Sequence, residues 1–332
     1  MKFLMVADFR HNMQNYLVNN EVIYNDHLTS DNTKDIIKSI CSLGYDCEYF
    51  GGISELISAI NDGQQFPKTY FLNFTDGLEQ SYSRVQAPVL MELLDVLYSG
   101  SSTFPAALMN NKQHTKLAVH DININIPLSI AIKNIANLNR RKLREFQYPL
   151  FIKPNCEGSS IGISNNNICF TYSDVENKAF KLLKDFDEIL IEEYISGQDV
   201  TDFIIGNQGS YIINDVVLSE LHTAGEYVVY GIEEKRAKKR DLYWNTEKLP
   251  TLLVDEIKAI SIKVFECLGA SDIIRIDYRI QKETNKIYFI EANSMPRFSR
   301  TSEVGFICQK RNISFEAILN YYIQTFLKRI HD

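Results

Sequence analysis

No CxxC pair and no histidine-rich segment occurs in these 332 residues, so the six cysteines (Cys41, Cys47, Cys156, Cys169, Cys267, Cys308) lack the spacing of a zinc site. Scattered through a chain this long, they do not read as a disulfide framework either. Long hydrophobic runs are missing too. The opening Met1-Lys2-Phe3-Leu4-Met5-Val6-Ala7-Asp8 is too short an apolar stretch for a signal peptide or a membrane span, and the expectation is a soluble, cytoplasmic protein in reducing surroundings. There is no basic stripe: the net charge is −7, which runs against a nucleic-acid binder. The one basic cluster, Lys235-Arg236-Ala237-Lys238-Lys239-Arg240, is local and fits either a solvated loop or an anion-facing one. Neither G-x-x-x-x-G-K-S/T nor G-x-G-x-x-G is present, which removes the two commonest nucleotide fingerprints. Internal repeats are absent, and Asn165-Asn166-Asn167 reads as a turn.

What is there is an ordinary globular balance, 45% apolar and 23% charged, in a chain long enough for two or three subdomains. Phe3–Ala7 and Tyr70–Phe74 read as buried strands, Thr33–Leu43 as a helix stopped by Gly44, and Ser54–Ile60 as a shorter helix. This alternation predicts an α/β N-terminal domain with a parallel sheet, ending near Ser99-Gly100-Ser101-Ser102 before a helix that opens at Pro105. Pro127–Ile132 and Pro149–Lys153 read as strands, and Ser173–Phe186 as a helix with Ser173 and Glu176 at capping-box spacing. Strands dominate afterwards: Ile189–Ile195, Val200–Gly206 and Ser210–Leu218. A helix over Leu252–Leu268 then precedes the hairpin Ile273–Ile280 and Lys286–Glu291, and Ser314–Ile330 closes the chain as an amphipathic helix.

Three segments carry chemistry. In Lys153-Pro154-Asn155-Cys156-Glu157-Gly158-Ser159-Ser160-Ile161-Gly162 a strand ends in a lysine and runs into a small-residue loop. Such a loop suits a phosphate cradle, because glycines let backbone N–H groups approach the oxygens, although a plain turn fits equally. In the hairpin, Arg275 and Asp277 share a face by strand alternation, as do Glu291 and Asn293, with Ile274, Ile276, Tyr278, Ile280, Tyr288 and Ile290 on the apolar side. Two carboxylates, an amide and an arginine are costly to desolvate together unless they hold a cation and an anion, and oxygen donors suit Mg²⁺; a structural ion-pair network is the alternative. Glu192-Glu193-Tyr194-Ile195-Ser196-Gly197-Gln198-Asp199 runs from a strand into a turn and could read an adenine edge and a ribose, or be an exposed acidic edge.

In this order the three segments resemble the ATP-grasp superfamily, most closely its D-alanine–D-alanine ligase branch. The Lys-Pro-x-x-Glu-Gly-Ser-Ser-x-Gly string, Tyr98-Ser99-Gly100-Ser101 followed by Lys112 and Ile126-Pro127, and Arg275-Ile276-Asp277 with Glu291-Ala292-Asn293-Ser294-Met295-Pro296 carry the likeness, from about Tyr98 to the end of the chain. The resemblance implies an ATP-grasp fold of α/β (α+β) class, with a parallel α/β domain over 1–104, a central lid subdomain over 105–188 and an antiparallel-sheet catalytic subdomain over 189–332. It implies ATP and two Mg²⁺ ions. Lys112, Lys153 and the loop Glu157, Gly158, Ser159, Ser160 would meet the phosphates, with Lys235 or Lys238 arriving on a mobile loop. Glu192 would meet the adenine amino group, Glu193, Tyr194 and Ile195 the ring edge, and Asp199 the ribose. Asp277, Glu291 and Asn293 would hold the metal, and Arg275, with Lys153 and Ser160, would act in catalysis.

Departures from the branch lie on the substrate side. A glycine-rich turn and an ammonium-binding glutamate are replaced by Asp8-Phe9-Arg10-His11-Asn12. The His-Gly and Glu-Asp-Gly segment is Asn73-Phe74-Thr75-Asp76-Gly77-Leu78-Glu79, Arg297 stands for a glycine, and Ser302-Glu303 for a Ser-Leu pair. Arg275, Arg297, Ser302 and Glu303 are therefore the substrate candidates, with Arg297 placed to neutralise Glu303 or to bind the substrate's acid. The leading expectation is an ADP-forming carboxylate–amine ligase whose substrates are not two D-alanines. A D-alanine–D-alanine ligase of peptidoglycan synthesis and a non-catalytic nucleotide-binding module are the alternatives. The expected partners are a small-molecule carboxylate and an amine, with no nucleic acid and no membrane; a homodimer is the assembly allowed for.

Overall fold

A computed structural model describes residues 1–9, 28–78, 81–158, 160–222, 225, 227–231, 234, 237 and 239–332. The expectations on Arg10, His11, Asn12, Glu79, Ser159, Lys235, Arg236 and Lys238 fall outside the described residues. Three sheets organise the chain.

The first sheet is parallel, in the order β2-β1-β3-β4: β1 (Lys2–Val6), β2 (Asp46–Gly51), β3 (Thr69–Asn73) and β4 (Leu97–Tyr98). Its helices are α1 (Ser30–Ser42), α2 (Ile53–Asn61) and α3 (Ser83–Leu93). The side chain of Thr29 accepts from the N–H of Asn32 to start α1, Ile36 and Ile40 bury its apolar stripe, and Gly44 at φ +88° lets the chain leave in the left-handed region. β2, α3 and β4 were not evident from sequence. β2 reads DCEYFG without clean alternation, β4 has two residues, and Pro88 stands buried inside α3, where it signals a break.

The second sheet is antiparallel, β5-β8-β6-β7: β5 (Ser129–Ile132), β6 (Leu150–Pro154), β7 (Ile168–Cys169) and β8 (Ile189–Glu193). α4 (Thr103–Asn110) and α5 (Lys112–Ala118) lead into it, and α6 (Tyr172–Leu182) covers it with Val175, Ala179 and Leu182. The capping box of α6 is Thr171 with Asp174, two residues before the expected pair, because those side chains exchange bonds with each other's backbone N–H. A division at residue 188 cuts this sheet. β8 pairs with β5 and β6, so the sheet continues past that boundary.

The third sheet is antiparallel, β11-β10-β9-β12-β13: β9 (Gly197–Asn207), β10 (Ser210–Leu221), β11 (Arg240–Trp244), β12 (Asp272–Gln281) and β13 (Ile287–Asn293). α7 (Asn245–Lys248), α8 (Thr251–Cys267), α9 (Glu303–Arg311) and α10 (Phe315–His331) pack around it. The hairpin expected from sequence is present, but its faces are not those of uninterrupted alternation. A register shift between Asp277 and Tyr278 makes Ile290 an extra residue opposite β12. Ile287, Phe289 and Ala292 therefore face the core in place of Tyr288 and Ile290, and Ile290 turns into the cleft with Glu291.

Candidate active site

The cleft between the second and third sheets has a volume of about 680 Å³, and residues of β6, β8, β9, β12 and β13 line it. Each wall contributes a different chemistry.

On the lid side, β6 delivers Lys153 and β8 delivers Glu192, both buried. Lys153 Nζ lies 2.6 Å from Glu192 Oε1, and Lys116, one turn after Lys112 on α5, closes on Glu192 Oε2. Glu192, expected at the adenine amino group, thus has both oxygens committed to lysines. Burial pushes its carboxyl up, but Lys116 and Lys153 outweigh that and hold it below its ordinary value. One carboxylate shared by two ammoniums leaves one cation poorly compensated. It is Lys116, which burial, against the pull of Glu192, lowers to about 8.

The adenine-edge candidates that follow do line the cleft. Glu193 accepts from the N–H of Gln147 at 2.8 Å, Ile195 is buried, and the Tyr194 ring lies under the Arg279 guanidinium at 4.9 Å. Arg279 Nε lies 3.4 Å from Asp199 Oδ1. In the glycine-rich loop Ser160 occupies the left-handed region at φ +61°, uncommon for a residue with a side chain, and its hydroxyl donates to Tyr230 O at 2.9 Å. Gly162, at φ +71°, could not carry a Cβ, which would stand 2.8 Å from Pro154 Cγ. Lys112 Nζ donates to Glu157 O in the same loop. Burial raises the Glu157 carboxyl against the opposing pull of Lys112 and Arg84.

On the opposite wall the hairpin register sets Arg275 across from Asn293 and Asp277 across from Glu291. Arg275 grips Asp277 with two donors, at 3.1 and 2.9 Å; Thr201 donates to Asp277 Oδ1 at 2.8 Å and Asn293 Nδ2 to Oδ2 at 3.2 Å. Lys112 Nζ is 3.4 Å from Glu291 Oε2. Burial pushes Glu291 up, yet Lys112, Lys153, Arg275 and Arg84 together bring it down to about 2. Among the described residues no three His, Cys, Asp or Glu side chains gather. Two carboxylates and an amide oxygen on one rigid hairpin nevertheless fit Mg²⁺, which prefers few carboxylates and completes its shell with water and phosphate oxygens.

Three charged residues in the cleft or its wall, Lys116, Arg279 and Arg84, were missed from sequence. Lys116 follows Lys112 at the i, i+4 spacing of one helix face, a usable signal. Arg84 had none: it reaches the hairpin from α3, donating Nε to Asp76 Oδ1 and Nη1 to Asn293 Oδ1, each at 3.0 Å.

At the far end, Arg297, Ser302 and Glu303 all line the cleft. Ser302 caps α9, accepting from the N–H of Val304 at 3.3 Å and donating to Arg297 O at 3.0 Å. Glu303 pairs with Arg240 of β11, not with Arg297, which is exposed. Arg240, the last residue of the basic cluster, also stacks on the Tyr230 ring at 4.5 Å.

A family model described as D-ala D-ala ligase C-terminus matches residues 122–324. The D-alanine–D-alanine ligase of Aquifex aeolicus is 27% identical over 70% of this chain and 75% of its own, and D-alanine–D-alanine ligase B of Clostridium perfringens is 27% identical over 72% and 75%. Among solved structures, the ATP complex of the Bacillus anthracis D-alanine–D-alanine ligase superposes with a TM-score of 0.74 at 18% identity, over 98% of this chain and 97% of that one. The VanG D-Ala:D-Ser ligase of Enterococcus faecalis gives 0.74 at 16%, over 98% and 99%. With the family model spanning more than half of its length, the chain belongs to the D-alanine–D-alanine ligase family, ATP-grasp enzymes that join carbon to nitrogen with release of ADP.

Proposed function

We propose that the enzyme condenses two amino acids, with D-alanine as donor and a second D-alanine as the acceptor that the curated relatives support. The observation that carries this reading is the hairpin. Asp277, Glu291 and Asn293 face one cleft with Lys153 and Arg275, and Lys112 reaches Glu291 from α5, so an anionic edge suited to a metal is set against a cationic one suited to phosphates.

In the first step a carboxylate oxygen of the donor attacks the γ-phosphorus of ATP. The bond from that phosphorus to the β,γ-bridging oxygen breaks, and ADP leaves with its electron pair. In the second, the acceptor amine attacks the acyl carbon, the carbon–oxygen bond to phosphate breaks, and inorganic phosphate departs as the amine loses a proton. Lys112 and Lys153 offset the charge of the phosphates, and Arg275 offsets the charge on the acyl phosphate and the tetrahedral oxyanion. Mg²⁺, two ions in this proposal, would be held by Asp277, Glu291 and Asn293 and would draw charge from the transferring phosphoryl group.

A different acceptor is the second reading, and the Glu303–Arg240 pair favours it, since a charged pair replaces a neutral residue at the far end of the cleft. Because Arg240 compensates Glu303, that carboxylate does not by itself repel the free acid of a D-alanine acceptor. ADP release measured over amino-acid pairs of both chiralities, with mass analysis of the products, tests both. D-alanyl-D-alanine as the main product supports the first reading, and another dipeptide or amide replaces it with the second. No ADP with any pair contradicts both.

A further inference from the structure

Asp76 and Arg84 are the side chains that the N-terminal sheet and its helices send into the cleft, among the described residues. They are largely buried, at 23% and 19% side-chain exposure, and they pair through Nε and Oδ1 at 3.0 Å. Arg84 Nη1 is spent on Asn293 Oδ1. Among the described residues no hydrogen bond engages Asp76 Oδ2 or Arg84 Nη2, so the pair presents one acceptor and one donor of opposite charge to the cleft. Nη2 faces the glycine-rich loop, where a Cβ on Gly158 would lie 3.1 Å from it. We infer that Asp76 and Arg84 read the donor as a zwitterion, Asp76 taking the α-ammonium and Arg84 the carboxylate that is to be phosphorylated.

This rests on the proposed ligase reading and names its donor class. Placement supports it: a carboxylate caught by Nη2 lies between the Asn293 amide and the glycine-rich loop, where the transferring phosphoryl group must be. Spacing supports it as well. The two charges of the pair are adjacent, so they suit an ammonium and a carboxylate carried on one carbon, and amino acids with the groups further apart fit worse. The pair's zero net charge also matches a zwitterion. Among the described residues after β1, Asp8 is turned to the N–H of Ile53 and the hydroxyl of Thr75.

Hydroxylamine as the acceptor makes hydroxamate formation a readout of the donor alone. With wild type, D- or L-alanine should outperform the matching lactate and N-acetylalanine at least about 10-fold in kcat/KM. Asp76→Asn should lose about 10- to 100-fold toward alanine and close most of the gap to lactate, while its KM for ATP stays within about twofold. Arg84→Gln should raise the KM of every donor, and Arg84→Lys should recover part of it. Preserved alanine-over-lactate discrimination in Asp76→Asn, or equal losses toward every donor, overturns the inference. Calorimetry of alanine binding, with Mg²⁺ and a non-hydrolysable ATP analogue, separates the two claims. Alanine bound by wild type and lost in Asp76→Asn, without ADP formation by wild type, removes the ligase reading and keeps this one. Absence of alanine binding removes this one.

Discussion

At Glu291 four cationic side chains act on one carboxylate, and their sum decides its charge. Burial alone would favour the neutral acid, but Lys112, Lys153, Arg275 and Arg84 reverse it and hold the carboxyl below its ordinary value. Glu291→Gln keeps the shape and removes the charge. ADP formation should fall by about 10²-fold or more while the circular-dichroism spectrum at the assay temperature stays native; near-normal turnover with normal Mg²⁺ dependence would remove the metal assignment. Glu303 carries a pH prediction. Burial raises its carboxyl, but Arg240 and Arg275 hold it at about 2, below the ordinary 4.5. Between those values the unfolded chain binds more protons than the folded one, so this contribution is complete above 4.5 and fades as pH falls toward 2. Glu303→Gln should therefore melt below wild type at neutral pH, and the gap should narrow through that acid window. A constant gap in scanning calorimetry would contradict the Arg240 pairing. Lys153, Asp277, Glu291 and Asn293 could be singled out because each stands in a local string whose residue types suggest a chemistry, whereas Lys112 came only with the family resemblance. Arg84 could not be, since 209 residues separate it from the amide it touches.

Elements with strong periodicity were legible, and those whose definition is tertiary were not. α1, α8 and α10 carry long apolar stripes with Gly44, Gly269 and Ser314 marking their ends. By contrast α9 reads EVGFICQKR, short and interrupted by Gly305, and β4 is a two-residue strand defined by its pairing with β3. The bulge that turns Ile290 into the cleft could not be seen, because alternation assumes an unbroken ladder. Gly197 marks another constraint that only the sheet reveals. It opens β9 at φ +152°, and a Cβ there would lie 1.9 Å from Ile280 O on the neighbouring strand. Its own carbonyl accepts from Arg279 Nη2 at 2.8 Å, tying the bend to the residue that covers Tyr194. Gly197→Ala should cost about 2 kcal/mol or more in chemical denaturation and raise the KM for ATP, since β9 must separate from β12 there. Wild-type values for both would show that the strands yield without consequence.

Across the whole molecule, the domain division read from sequence hides a shared core. Phe3, Met5 and Leu72 of the first sheet, Phe203, Ile205 and Ile273 of the third, and Ile318, Tyr322 and Phe326 of α10 form one buried cluster. Leu150, Ile152, Val175 and Ile191 of the lid form their own. The second sheet thus has a core of its own, while the first and third sheets share one. Asp272 is one polar tie between them. Fully buried, it accepts from Gly100 N at 2.8 Å, from Arg329 Nε and Nη2 at 2.8 Å each, and from Asn207 Nδ2 at 3.0 Å; Arg329 Nη2 also donates to Tyr98 O at 2.9 Å. Its φ of +65° is one that asparagine tolerates well, so Asp272→Asn tests the charge without adding backbone strain. The substitution leaves Arg329 facing an amide and should cost about 2–3 kcal/mol. Arg329→Met alone should cost at least as much, because it strands a buried carboxylate. The double variant should be less destabilised than the sum of the two, with a coupling of at least about 1 kcal/mol in a double-mutant cycle. Because the first and third sheets share a core, each loss should shift one common transition, read by a reporter on either sheet. Additive effects, or an early transition confined to the first sheet, would mean that apolar packing alone joins the two sheets and that Asp272 serves only its own strand.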